Sequence, residues 1–163
     1  MTLPLALVNA MTGGGSATAM TSIERFRGEH AFLSNFHPSP IVYAWHAYAT
    51  VEHLFQASKA IRDVDRAFVR LAPTPSAAKA RGRRVSCRPD WNDVRLDVMA
   101  ACLALKFAQG SPLAARLLAT GDASLIEGNT WGDSYWGVCR GIGENHLGRL
   151  LMERREALRS AAP

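Results

Sequence analysis

The sequence predicts an α+β fold, a helix-rich single domain with a small sheet. Three observations carry that reading. Apolar residues recur at helical spacing through residues 91–107 and again through residues 147–158. Helix starts are marked by a hydroxyl residue followed by proline, at Thr74-Pro75 and Ser111-Pro112. The strand-like runs are short and punctuated by proline or glycine, which keeps the sheet small.

Residues 1–21, with "TGGGSATAMTS", read as a flexible N-terminal tail, Met20 being a second candidate start; residues 22–163 form the domain. Residues 22–26 read as a strand and "FLSNFHPSP" as a loop. "IVYAWHAYAT" reads as a hairpin, although its turn lacks Asn-Gly or Asp-Gly. Helices are expected from Val51, over residues 63–71, and from a Thr74 cap to Arg84. Asp90 should cap a long helix to Gln109, with Asp93 completing a capping-box-like start. There Trp91, Val94, Val98, Ala101 and Leu105 form one stripe, and Leu96, Met99, Leu103 and Phe107 widen it, so this helix should be largely buried. Gly110 ends it, and Ser111-Pro112 starts a helix to Ala119. "SLIEG" reads as a strand, followed by the aromatic and glycine-rich segment "NTWGDSYWGVCRGIGENH". A last helix should turn Leu147, Leu150, Leu151 and Leu158 inward, with Asn145 or Glu144 as its cap.

The composition, 48% hydrophobic and 20% charged, is that of a soluble globular domain, and no apolar run is long enough to span a bilayer. A cytoplasmic protein without membrane partners is expected. Cys87, Cys102 and Cys139 are odd in number and far apart, which excludes a disulfide framework, and Cys102 belongs in the core. His30, His37, His46 and His53 make no ligand pattern, so neither metal nor cofactor is expected. Much of the +5 net charge sits in residues 79–88, suited to nucleic acid, to nucleotide phosphates, or to plain solvent.

Three stretches invite chemistry. In "TVEHLFQASKA", Glu52, Gln56 and Lys59 share a helical face while Leu54, Ala57 and Ile61 take the other. Glu52 and Lys59 lie only about 20° apart around the axis and roughly 10 Å apart along it. That face suits either solvent or an active site. In "GNTWGDSYWG", Asp133 sits among large rings, a setting for stacking a planar base beside a carboxylate, or for a minor hydrophobic core. Gly141 and Gly143, ahead of the last helix, are a weak phosphate cradle or ordinary turn residues. Two carboxylates, a lysine and stacking rings suit glycosidic cleavage of a nucleotide.

With "FLSNF", "TVEHLFQASK", "RPDWNDVRLDVMAACLALKF", "LLATGDASLIE", "DSYWG" and "GENHLGRLLMERREAL" in this order, residues 23–159 resemble the NADAR family. The resemblance implies an N-glycosidase acting on phosphorylated ribosylamino intermediates of riboflavin synthesis, or on ADP-ribosylated guanine. It implies Glu52, Lys59 and Asp133 as catalytic residues. It implies substrate contacts at Gly28, Ser34, Asn35, Phe36, Gln56, Trp91, Tyr135, Trp136, Gly143 and Asn145. The implied partner is a small nucleotide substrate or ADP-ribosylated nucleic acid. Where many relatives carry an Asp-Gly type turn, this chain has Ala44-Trp45-His46, and the segment between Glu127 and Asp133, with Trp131 and Gly132, is variable territory expected to set which base is accepted. A non-catalytic NAD or ADP-ribose binding module and a nucleic-acid binding protein using residues 79–88 are the rival readings.

Overall fold

The computed structural model describes residues 21–161, so nearly all of the expected tail lies outside the described residues. In chain order the elements are β1 (Ser22–Ile23), a 3-10 helix (Gly28–Leu33), β2 (Ile41–Tyr43), β3 (His46–Tyr48), α1 (Val51–Ala57), α2 (Asp63–Arg70), α3 (Pro75–Gly82), α4 (Trp91–Lys106), α5 (Pro112–Leu118), β4 (Ser124–Leu125), β5 (Gly128–Asn129), β6 (Val138–Cys139) and α6 (His146–Ser160). The helix-rich α+β class holds. The described strands, however, form three two-stranded ladders rather than one sheet: β1 with β4 and β5 with β6 in parallel, β2 with β3 antiparallel. The expected strand from Ser22 stops after Ile23 because Phe26 turns into the core, 5% exposed. Part of the expected "FLSNF" loop is the 3-10 helix, which buries Phe32 and Leu33.

The hairpin forms as expected, with Ala44 and Trp45 both at positive φ (47° and 66°) in its turn. Thr74 and Ser111 cap their helices, accepting from the amides of Ala77 and Ala114, both at 3.1 Å. Asp90 and Asn145 stand at cap positions but do not cap. Arg88 draws off the Asp90 carboxylate with two bonds of 2.6 and 2.7 Å. Asn145, itself at φ 53°, spends its side chain on the β4–β5 connection.

At the centre lies α1, packed against α2, α3 and α4. Thr50 caps it by accepting from the His53 amide. Ser58 ends it, its hydroxyl competing for the Leu54 carbonyl at 2.8 Å. The helix is therefore shorter than its sequence pattern suggests. Lys59 and Ile61 lie beyond it, and Ile61 is 53% exposed instead of anchoring the apolar face. Both faces of α1 are buried, which settles the polar stripe: Glu52 and Gln56 are inside the protein. Around α1 the core gathers Leu33, Val51, Phe55, Met99, Leu103, Phe107, Leu125 and Leu151, with Cys102 among them.

Candidate active site

A cavity of about 410 Å³ opens beside the N-terminal half of α1. Ser34, Asn35 and Phe36 form one wall, Glu52 and Lys79 another, and Glu127, Trp131, Asp133, Trp136 and Leu147 close it. The volume suits a nucleotide-sized ligand. Three carboxyl groups and one ammonium face the same space.

Each acid is held differently. Glu52, 5% exposed, accepts from the Gln56 amide at 2.8 Å, one helical turn along. Burial pushes its pKa above the ordinary carboxylate value; the Gln56 bond and the charges of Lys79 and Lys59 pull the other way. Asp133 is fixed by its own loop: one of its oxygens accepts from the backbone amides of Tyr135 (3.2 Å) and Trp136 (2.9 Å). Asn129 clamps that loop from behind, donating to the Asp133 carbonyl at 2.7 Å and accepting from its amide at 3.1 Å. Glu127 has one oxygen buried with no hydrogen-bond partner. Burial first, and the nearby Asp133 second, push its pKa up to about 7.

Three further arrangements hold the site. The Asn35 side-chain carbonyl oxygen is buried without a partner, while its amide reaches only the Met99 sulfur at 3.4 Å. Behind that wall Lys106, 4% exposed, donates to the Ser34 carbonyl at 2.7 Å, and burial lowers its pKa to about 7. Gly82 of α3 lets the Gln56 side chain pass. A methyl at that position would run into the Gln56 oxygen, so the glycine is a requirement of close approach.

Comparison with known proteins gives the family of the chain. A family model described as the NADAR domain matches residues 24–159. The chain belongs to the NADAR family. It is 41% identical over 133 residues to N-glycosidase YbiA of Escherichia coli, covering 80% of this chain and 82% of that one. It is 39% identical over 134 residues to an N-glycosidase of Nostoc punctiforme, covering 78% of this chain and 85% of the other. A riboflavin biosynthesis protein of Vibrio vulnificus is 40% identical over 139 residues, 82% of this chain but only 37% of that longer protein. The solution structure of Escherichia coli YbiA superposes with a TM-score of 0.75 at 35% identity, covering 88% of this chain and 90% of that one.

Within this NADAR domain the expected residues divide into two groups. Glu52, Asp133, Ser34, Asn35, Phe36 and Trp136 line the cavity. Gln56 stands directly behind, bonded to Glu52. Lys59, half-buried, lies off the lining with its ammonium 5.7 Å from the Trp91 ring centroid, and burial lowers its pKa. Trp91 is core, its ring 5.0 Å from that of Phe55. Tyr135 packs between His146 and the guanidinium of Arg95. Gly28 is an exposed turn residue at φ 56° beginning the 3-10 helix. Gly143 packs against the Gly137 backbone, and Asn145 accepts from the Glu127 amide at 3.0 Å, so both shape the loop rather than line the space.

Sequence reasoning did not single out Glu127, Lys79 or Leu147. Glu127 closes the block "LLATGDASLIE" quoted for the family resemblance, but nothing in its spacing sets it apart as a site residue. Lys79 was hidden in the basic segment. That segment is not a free stripe: Arg81 donates to the Phe68 carbonyl and stacks on its ring, and Arg88 is held by Asp90. Among the described residues no group of three His, Cys, Asp or Glu side chains could hold a metal ion, and no helix is long and apolar enough to cross a membrane.

Proposed function

We propose that this NADAR domain is an N-glycosidase, hydrolysing the bond between C1′ of a phosphorylated ribose and a nucleobase-like leaving group. The observation that carries the reading is the convergence of Glu52, Glu127 and Asp133 on one cavity, each in a different electrostatic setting. Relatives named N-glycosidases, similar over most of their length, support it. In the proposed reaction Glu127 enters protonated and hands its proton to the leaving nitrogen as the C1′–N bond breaks. Asp133 faces the positive charge that grows on the ribose. Water, oriented by Glu52, supplies oxygen to C1′ and returns a proton to the carboxylates, so one water is consumed for each base released. The buried oxygens of Asn35 and Glu127 are acceptors for ribose hydroxyls, and Lys79 is the cation for a phosphate.

Lys59 is proposed for an alternative route in which its neutral amine, instead of water, takes C1′ as the bond to the base breaks, giving a Schiff base with the opened ribose that one water then hydrolyses to free ribose phosphate and lysine. Its lowered pKa raises the neutral, nucleophilic fraction, and its side chain must leave the Trp91 face to reach C1′. Riboflavin-pathway ribosylamino phosphates are the proposed substrates, supported by the likeness to the Vibrio riboflavin biosynthesis protein. ADP-ribosylated guanine is the second candidate. Trp131, 57% exposed at the cavity mouth, offers a stacking surface for the larger substrate. Incubation with both classes, followed by chromatography of free base, tests the proposal; no release from either by folded protein would overturn it.

A further inference from the structure

A second and larger cavity, about 740 Å³, lies on the opposite side of α1. Leu54 and Ala57 reach it from α1, while Glu52 belongs to the cavity described above, so one helix separates the two spaces. Its floor is the α4 stripe of Val98, Ala101 and Leu105, which the sequence pattern marks for burial. Nothing among the described residues covers that stripe fully: Leu105 is 40% exposed. Tyr43 and Tyr48 of the hairpin form an aromatic wall.

The charged rim is one-sided. Arg66, Arg70 and Arg88 line the cavity against a single acid, Asp63. Asp63 is held by Arg66 at 2.6 Å, and Arg88 by Asp90. Arg70 has no hydrogen bond or ion pair among the described residues, and its charge, with that of Arg66, acts on the Tyr48 hydroxyl. A cationic, aromatic-walled pocket with an apolar floor matches a flat ring carrying one anionic group. It does not match a second reaction centre: its one thiol, Cys102, is 3% exposed and burial pushes it up to about 12, and its one carboxylate is in an ion pair.

We propose that the cavity bounded by the hairpin, α2 and α4 is a separate binding site for a small aromatic anion, with the anionic group on Arg70 and the ring between the Tyr43–Tyr48 wall and the α4 floor. This inference does not rest on the reaction assigned to the other cavity.

Calorimetric titration with phenyl phosphate, benzoate and inorganic phosphate tests it and separates phosphate from carboxylate as the preferred head. At least one aromatic anion is expected to bind, and inorganic phosphate about tenfold more weakly or not at all. Arg70→Ala should weaken the aromatic anion about tenfold. Ala101→Trp, which fills the floor without changing charge, should abolish its binding. Retained helical circular dichroism establishes that each variant is folded, and either variant alone is a sufficient test if the other is not. Absence of binding by both aromatic anions overturns the proposal. So does unchanged affinity in a folded Arg70→Ala protein, binding that survives in a folded Ala101→Trp protein, or binding that is lost in Asp133→Asn, which would put the ligand in the first cavity.

Discussion

Glu127→Gln separates catalysis from stability in a single substitution. The wild-type acid has its pKa raised from the ordinary 4.5 to about 7, chiefly by burial. A group raised in this way stabilises the fold fully below its unfolded pKa, and that contribution is lost as pH rises through the folded value. The shift corresponds to about 3 kcal/mol at most between the acid and alkaline limits. Glutamine fills nearly the same volume and never ionises. The variant should therefore match the wild type near pH 4 and exceed it at pH 8, with a melting temperature higher by at most roughly 10 °C for a domain of this size. Turnover should move the opposite way. Losing the proton donor costs about 10²–10⁴-fold in kcat. In the wild type, kcat/KM should fall on the alkaline side of about pH 7, by about tenfold per unit, and this limb should be absent from the variant's residual activity. Thermal melts from pH 4 to 8 and a pH–rate profile read both effects. Unchanged turnover in the variant, or an alkaline limb that persists without Glu127, would refute the assignment.

Glu52→Gln should keep substrate affinity within a few-fold and lose about 10²-fold or more in kcat, read by steady-state kinetics with a binding titration. Gly82→Ala should push the Gln56 side chain out of place and lower kcat while the fold survives, and a double variant with Gln56→Ala should show that the two losses do not add. Lys106→Met should flatten a pH trend: the buried ammonium has a folded pKa of about 7, so wild-type stability rises as pH climbs from there toward 10.5, and the variant lacks that rise in chemical denaturation. Borohydride added during turnover should trap a sugar on Lys59, seen by mass spectrometry; an unmodified lysine would leave water as the nucleophile.

Much of the fold was legible because local signals there had no competitor. Thr74-Pro75 and Ser111-Pro112 start their helices as written, and the hairpin closes even with Ala44 and Trp45 in left-handed conformations. Where two partners compete, the local signal failed. Asp90 and Asn145 look like caps, but Arg88 takes the first and the β4–β5 backbone takes the second. At Glu52 and Gln56 the helical spacing left solvent and site open, and the resemblance chose the site; both side chains are buried because both faces of α1 are packed. Ring-bearing residues were ambiguous because apolar area serves a core and a ligand equally: Trp136 reaches the cavity, whereas Trp91 and Tyr135 pack away from it. Glu127 could not be found by spacing. Its proximity to Asp133 and Glu52 is created by the β4–β5 turn and by Asn145 reaching back to its amide, a tertiary contact with no periodicity.

In the proposed reaction the carboxyl-lined cavity consumes one water for each glycosidic bond broken. The most direct measurement is the stoichiometry of free base to reducing-end ribose phosphate formed from a ribosylamino phosphate, by wild type and by Glu52→Gln. Equal amounts of the two products are expected from the wild type and almost none from the folded variant. Base release that persists in Glu52→Gln at the wild-type rate, or no release by the wild-type protein, would contradict the proposed reaction.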